Sequence, residues 1–479
     1  MTRTDEHYLG GTWVAASGDE RHQVRSPHDG SLVADVALAS PAEIDAAVGA
    51  ARAAFDGGEW PTWSPEQRVE AVRRLATSYG DVLDEMARLI SSENGSPLSF
   101  SLLGQSGAVP LLFDGFLAAA AAMPWEERVD AAFGPQRVRH EPVGVVGAIT
   151  AWNVPQILIV AKLAPALLAG CTIVVKASPD TPLDALRLAE LVDDAGFPPG
   201  VVSIVAGGPG AGQALVEHPA IDKVAFTGSS TVGREIAAAC GRNLKRCSVE
   251  LGGKSAAIVL DDADVDRTAA GLRFASFMNN GQACAAQTRV LAPRSRYAEV
   301  VDALVEQVRT FVIGDPLDDA TEIGPLVNAR QQARVQEYQR LGVAEGARVA
   351  IGGIDGAVPD GGCYVAPTVF ADVDNSMRIA QEEIFGPVVA VVPYDDDADA
   401  VRLANDSIYG LGGSVWTGDH ERAAAIARQV RTGMVGVNTF GPGTDMPFGG
   451  FKASGIGREY GAAGLEEYTE TKVIHGLKK

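Results

Sequence analysis

Thr172-Ile-Val-Val-Lys176, Val201-Val-Ser-Ile-Val205 and Lys223-Val-Ala-Phe226 are short runs rich in β-branched residues, and they read as buried strands. Helical stretches alternate with them: Pro182–Ala195 and Gly210–Glu217 lie between the runs, and Ser230–Cys240 follows the last. Strand and helix alternating at this spacing mark a parallel sheet joined by crossover helices, so the fold class is α/β. Working outward, Val145–Ile149 and Ala256–Val259 are further candidate strands. In the second half Glu299–Val312, Ala329–Leu341, Ala398–Asn405 and Asp419–Val430 read as helices. Helix starts are marked at Ser40-Pro41-Ala42-Glu43, Ser64-Pro65-Glu66-Gln67 and Thr181-Pro182-Leu183-Asp184, each with a hydroxyl to cap and a proline at the first helical position.

With 479 residues, 46% hydrophobic and 21% charged, the chain can bury a large core and is not globally disordered. At about 150 residues per domain, it has room for two to four domains. The formal charge of −21 repels a polyphosphate backbone, so no nucleic-acid partner is expected. The five cysteines, Cys171, Cys240, Cys247, Cys284 and Cys363, form no CxxC pair, which speaks against a disulfide framework or structural zinc. The start, MTRTDEHYLGG, has no apolar signal region, so a cytoplasmic location is expected. The apolar stretch Pro155–Val175 is broken by Lys162, Pro165 and Gly170 and fits a buried helix and strand better than a membrane span. No membrane partner is expected.

Several tempting motifs fail. Gly207–Gly212 follows a strand and is glycine-rich, but Gln213 stands where GxGxxG needs its last glycine. Gly253-Lys254-Ser255 mimics the end of a phosphate loop, but Ser248 occupies the position of its first glycine. Asp262, Asp264 and Asp266 resemble a calcium loop without its glycine or final glutamate. The seven histidines form no HxxxH, so no metal is expected.

Three residues carry candidate chemistry. Cys284, flanked by Ala283 and Ala285 and preceded by Gly281, is a candidate nucleophile; the alternative is an inert small apolar side chain. Glu250 ends a strand-like run beside Gly252 and Gly253, where a carboxylate could stand over a cavity as a general base. Asn153, between Trp152 and Pro155, could donate its amide to a developing oxyanion or simply cap its own turn.

Taken together, Phe277-Met-Asn-Asn-Gly-Gln-Ala-Cys284 and Glu250-Leu-Gly-Gly-Lys254 resemble the aldehyde dehydrogenase superfamily, in its NAD(P)-dependent, hydrolytic, non-acylating type. The separation of 34 positions (284 − 250) follows the family pattern. The resemblance runs almost end to end, through Trp152-Asn153, Phe226-Thr-Gly-Ser229, Glu382-Glu-Ile-Phe-Gly-Pro387, Pro447-Phe-Gly-Gly450 and Gly457-Arg-Glu459.

The resemblance implies oxidation of an aldehyde to the carboxylic acid. Cys284 would add to the carbonyl, Asn153 and the Cys284 N–H would hold the oxyanion, and Glu250 would activate water to hydrolyse the thioester. Lys162 and Glu459 would carry protons. NAD, with NADP as the other possibility, would lie along Trp152, Lys176, Ser178, Gly212, Phe226, Gly228, Ser229, Val232 and Leu251, with Glu383 and Phe385 at the nicotinamide end. Pro179 stands where many NAD-preferring relatives carry glutamate; neighbouring Asp180 still leans toward NAD. Val154 and Ala161 replace aromatic tunnel residues of some relatives, which implies a medium-to-bulky aliphatic or aromatic aldehyde. Ala151 replaces the usual proline. The implied architecture is a Rossmann-like parallel-sheet cofactor domain (1–123 and 143–252), an α/β catalytic domain (253–455) and a small β oligomerisation element (124–142 and 456–479). The last combines a hairpin near Trp125–Pro142 with a strand near Thr471–Leu477 and gives a homodimer or homotetramer, with Arg246, Arg458 and Glu470 at positions that join subunits. Two other readings are a silent structural or binding homologue and a coenzyme A-acylating enzyme; Cys284, Glu250 and Asn153 weigh against the first, and Glu250 against the second.

Overall fold

The computed structural model describes residues 3–441 and 443–476. Its larger sheet has five parallel strands at the centre, in the order Arg246–Glu250, Lys223–Thr227, Val145–Ile149, Thr172–Ala177, Val202–Ala206. These strands are short, β-branched and mostly buried on both faces, as a sheet covered by helices requires. An antiparallel hairpin, Glu6–Leu9 and Thr12–Ala15, extends one edge, pairing Tyr8 with Ile204. The dipeptide Gly455–Ile456 pairs antiparallel at the other edge.

The chain runs outward through the strands beginning at Val145, Thr172 and Val202, then returns to lay Lys223–Thr227 on the opposite side of Val145–Ile149. That reversal opens a crevice at the carboxyl ends of two neighbouring strands, the usual ligand site of such sheets. The second sheet has the order Arg348–Ile351, Thr368–Ala371, Val388–Tyr394, Arg289–Pro293, Ala256–Val259, Gly413–Trp416, Gly436–Val437 and is parallel except at its first pair. A third, antiparallel sheet joins Glu126–Ala131, Gly134–Pro142 and Thr469–Ile474.

Ser40 and Ser64 cap their helices as expected, each in a reciprocal box with Glu43 or Gln67. Thr181 does not. Its hydroxyl has no partner, and the buried Glu93 carboxylate instead accepts from the Leu183 and Asp184 N–H groups at 2.8 and 3.0 Å. A carboxyl group from another helix takes the capping role. The C-terminal strand begins at Thr469, ahead of the expected Thr471, and the expected end at Leu477 lies outside the described residues. The segment expected to form the oligomerisation element from 456 onward is also divided. Ile456 belongs to the larger sheet, Gly461–Glu466 packs on the helices Ala108–Ala122 and Pro155–Ala169, and only Thr469–Ile474 joins the hairpin.

Pro155–Ala169 is a buried helix followed by the Thr172 strand, as its sequence indicates. A second run, Leu98–Ala122, is long and apolar enough by composition to cross a membrane. Here Val109, Leu112, Phe113 and Phe116 of that run belong to the main core.

Candidate active site

The nucleophile loop follows the Val265–Phe277 helix. Asn279 and Asn280, both buried, have φ of 52° and 59°. Asparagine is among the few side chains that tolerate this left-handed region. Gly281 continues it at φ 73°, and a Cβ there would lie 2.2 Å from the Gly386 carbonyl, so only glycine fits. Three left-handed residues in a row reverse the chain ahead of Cys284, which is half-buried with its backbone against Gly253. Burial pushes the Cys284 thiol up to about 12, with the Glu383 and Glu250 carboxylates adding to the shift and the Ala285 N–H opposing it. As a nucleophile, Cys284 would need a base to remove its proton.

Glu250 ends its strand at 4% exposure, and neither carboxylate oxygen has a hydrogen-bond partner. Burial first, then the Glu459 charge, raises its pKa well above the ordinary carboxylate value; Lys162 and Arg458 oppose the shift. A dry, unbonded carboxyl near Cys284 can take and return a proton.

Asn153 lies between the Val145–Ile149 strand and the Pro155–Ala169 helix. Its Nδ2 donates to the Gln282 carbonyl at 3.0 Å, two residues before Cys284. An amide nitrogen carries two N–H groups, so this bond uses one of them. Lys162, fully buried, donates to Glu459 Oε1 at 2.6 Å and to Thr227 Oγ1 at 2.7 Å. This pair links the interior of the Pro155–Ala169 helix to the region of Glu250.

The other expected residues gather at the crevice. Ser229 caps the Ser230–Arg242 helix by accepting from Val232 N–H at 3.4 Å, with Val232 itself exposed. Gly228 precedes it and Phe226 is buried in the strand. Lys176, at the end of its strand, donates to the Gly207 carbonyl at 2.7 Å, and burial pulls its pKa down to about 8. Gly212 lies in the helix beside it, and Ser178 Oγ accepts from Asp180 N–H at 3.3 Å. Leu251 packs against Gly233. Glu383 Oε1 accepts from Gly253 N–H at 2.9 Å, and a Cβ on Gly252 would come within 2.4 Å of Oε2. Phe385, at φ 64°, meets Trp152 edge-on with centroids 5.4 Å apart.

Several expected residues have partners within this chain. One oxygen of the Asp180 carboxylate accepts from Asn328 Nδ2 at 3.1 Å. Arg246 and Glu470 form a bidentate pair within this chain, at 2.6 and 2.8 Å, and Arg458 donates to the Gly450 and Gly457 carbonyls. Among the described residues no cluster of metal-ligating side chains forms. Sequence reasoning passed over Asn94, Asn279 and Asn280, whose amides bind the loops around Cys284; the adjacent asparagines before Gly281 were the available signal.

The aldehyde dehydrogenase family model matches residues 13–474. The chain belongs to the aldehyde dehydrogenase family. It is an enzyme that oxidises aldehydes. This aldehyde dehydrogenase is 45% identical, over the full length of both chains, to the geranial dehydrogenase of Castellaniella defragrans. It is 42% identical to the 3-succinoylsemialdehyde-pyridine dehydrogenase of a Pseudomonas species, covering 99% of this chain and 98% of that one. Its structure matches a Mycobacterium tuberculosis aldehyde dehydrogenase complexed with NAD+ at TM-score 0.96 and 46% identity, covering 99% of each chain. A mutant aldehyde dehydrogenase C from Pseudomonas syringae, in complex with NAD+ and octanal, matches at TM-score 0.95 and 41% identity, covering 99% of this chain and 97% of that one.

Proposed function

We propose that this aldehyde dehydrogenase oxidises a medium-to-bulky apolar aldehyde to its acid with NAD, through a covalent intermediate on Cys284. The observation that carries the reading is the convergence of three groups from three elements: the Cys284 thiol, the unbonded Glu250 carboxyl and the Asn153 amide tied to Gln282.

An aldehyde has no leaving group, so a nucleophile must add before hydride can depart. Glu250 accepts the Cys284 proton, and the thiolate adds to the carbonyl carbon. The Asn153 amide and the Cys284 N–H hold the oxyanion of the thiohemiacetal. Loss of hydride leaves a thioester on Cys284. Glu250 then deprotonates a water that attacks the thioester, which releases the acid and returns the thiol. Lys162 and Glu459 pass the released protons toward solvent.

The residues at the crevice suit a dinucleotide. The Ser230–Arg242 helix offers its N-terminal amides to a pyrophosphate, and Lys176 offers an ammonium to a ribose. Glu383 lies over a Gly252–Gly253 backbone that a Cβ would obstruct, which allows close approach of a nicotinamide ribose. The bound nicotinamide supplies a hydride acceptor. Pro179 removes an acidic side chain that would repel a 2′-phosphate, while the Asp180 carboxylate beside it leans the site toward NAD, with NADP as the second cofactor.

Val154, small where some relatives carry an aromatic side chain, supports a bulky substrate, as do a relative named for geranial and one in complex with octanal; Ala161 is packed in the core. The two edge strands of the third sheet, Glu126–Ala131 and Thr469–Ile474, carry unpaired backbone, and Phe133 at the hairpin tip is 98% exposed. A homodimer or homotetramer covers them.

An aldehyde panel read by reduced-cofactor absorbance tests the substrate reading. kcat/KM should rise from acetaldehyde to octanal and geranial, be higher with NAD than NADP, and need no coenzyme A. A maximum at acetaldehyde contradicts the reading, and no reduction by folded, cofactor-binding protein favours a silent homologue.

A further inference from the structure

We infer that Asn94 is a positioning residue for the oxyanion donor: its buried amide holds the Trp152–Asn153 turn so that the Asn153 amide points at the carbonyl attacked by Cys284. The inference rests on the reading of Asn153 given above.

Asn94 is the last residue of the Leu83–Asn94 helix and is 1% exposed. Its Oδ1 accepts from Ser96 N–H at 2.9 Å, which fixes the face its Nδ2 presents. Nδ2 donates to the Trp152 and Asn153 carbonyls, each at 3.3 Å. The Asn153 carbonyl also accepts from Asn279 Nδ2 at 2.8 Å, and Asn279 reaches the Gln282 carbonyl at 3.1 Å. Asn153 Nδ2 donates to that same Gln282 carbonyl. Asn280 closes the arrangement, with Nδ2 on the Gly95 and Pro325 carbonyls at 2.8 and 2.9 Å and Oδ1 accepting from Gly324 N–H at 2.7 Å.

Three segments far apart in sequence, Asn94–Gly95, Trp152–Asn153 and Asn279–Gln282, are thus tied by side-chain amides. The turn at Trp152–Asn153 lies between a strand and a helix, and the helix that follows has no side-chain cap. Its buried carbonyls need donors from elsewhere. A hydroxyl has one hydrogen to give, and a carboxylate has none; an amide can give two and still accept from Ser96. The same helix end is anchored through Glu93, which bonds Leu183 and Asp184.

An oxyanion donor works only when aimed where charge develops, and a displacement of about 1 Å can cost on the order of 100-fold in rate. The side-chain hydrogen bonds of Asn94 go to Trp152, Asn153 and Ser96 and not to Cys284, so it acts through Asn153.

The test uses two reactions of the full-length enzyme without added cofactor. One is hydrolysis of a 4-nitrophenyl ester, which passes through an oxyanion on Cys284. The other is iodoacetamide alkylation of Cys284, followed by peptide mass spectrometry, which forms no oxyanion. Asn153→Ala should lower ester kcat about 100-fold, and Asn94→Ala about 10-fold. In the Asn153→Ala background, Asn94→Ala should cost less than about twofold, because there is no donor left to aim. Alkylation should stay within about twofold throughout. Asn94→Asp keeps the Ser96 contact but loses both donors, and should match Asn94→Ala; it serves if the alanine variant does not fold. Additive losses in the double variant, alkylation falling in step with ester hydrolysis, or parental kcat in both Asn94 variants each overturns the inference. Parental ester turnover in Asn153→Ala instead overturns the underlying oxyanion reading.

Discussion

Burial and the nearby Glu383, Glu250 and Glu459 carboxyl groups oppose ionisation of Cys284, so in the proposed mechanism it meets the aldehyde as a thiol. In that mechanism Glu250 works at both ends of the reaction, taking the thiol proton and later a water proton. Burial and Glu459 raise its pKa, so its basic form is present above that raised value and is lost as pH falls through it. Turnover should rise with pH along an acid limb set by Glu250. Glu250→Gln should lower kcat by about 100-fold and remove that limb; a parental pH profile in stopped-flow or steady-state assays would contradict the role. At this scale the turns that hold Cys284, Glu250 and Asn153 were suggested by the glycine, alanine and proline beside them, and their proposed roles came from the family resemblance. The ties of Asp180 to Asn328 and of Arg246 to Glu470 were not, since both partners come from distant parts of the chain.

Among the elements, the strands around Thr172, Val202 and Lys223 appear within a residue of the bounds their β-branched runs suggest. The antiparallel pair Glu6–Leu9 and Thr12–Ala15 was missed: its residues are mixed in polarity, and its edge pairing depends on the finished sheet. The Leu183–Ala195 helix was legible, but its cap was assigned to Thr181 because Glu93 approaches from another helix. That substitution has a consequence for stability. Asp184 accepts from Gln156 and lies buried with Glu93; burial raises its carboxyl to about 7 and raises Glu93 as well. Between the ordinary carboxylate value, about 4, and about 7, the folded chain keeps a proton that the unfolded chain has released, so stability falls as pH rises through this window. Asp184→Asn should flatten that part of the curve. Its urea midpoint should exceed the parent's near pH 8 and approach it near pH 4, and a midpoint below the parent's at both pH values would contradict the proton assignment.

At the scale of the whole molecule, two α/β sheets supply the crevice and the third sheet remains at the surface. Two open clefts of about 760 Å³ each border that third sheet along Lys245, Arg246 and Glu470, away from Cys284. Exposed Val129, Phe133 and Val473 lie on the same sheet. The paired substitution Val129→Asp and Phe133→Asp should lower the native mass measured by light scattering toward a single chain; an unchanged oligomer would place the contact elsewhere. Alternating strand and helix made the central strands of the larger sheet readable, but of the second sheet only Ala256–Val259 was read as a strand, and the split of residues 456–476 among three neighbours depends on packing that no local pattern announces.

The covalent step is open to direct measurement. The parent enzyme, mixed with NAD and octanal and quenched in acid during turnover, should show by mass spectrometry one octanoyl group on the peptide carrying Cys284, absent from Cys284→Ser. No adduct on that peptide, together with octanal oxidation by Cys284→Ser at the parental rate, would contradict the account.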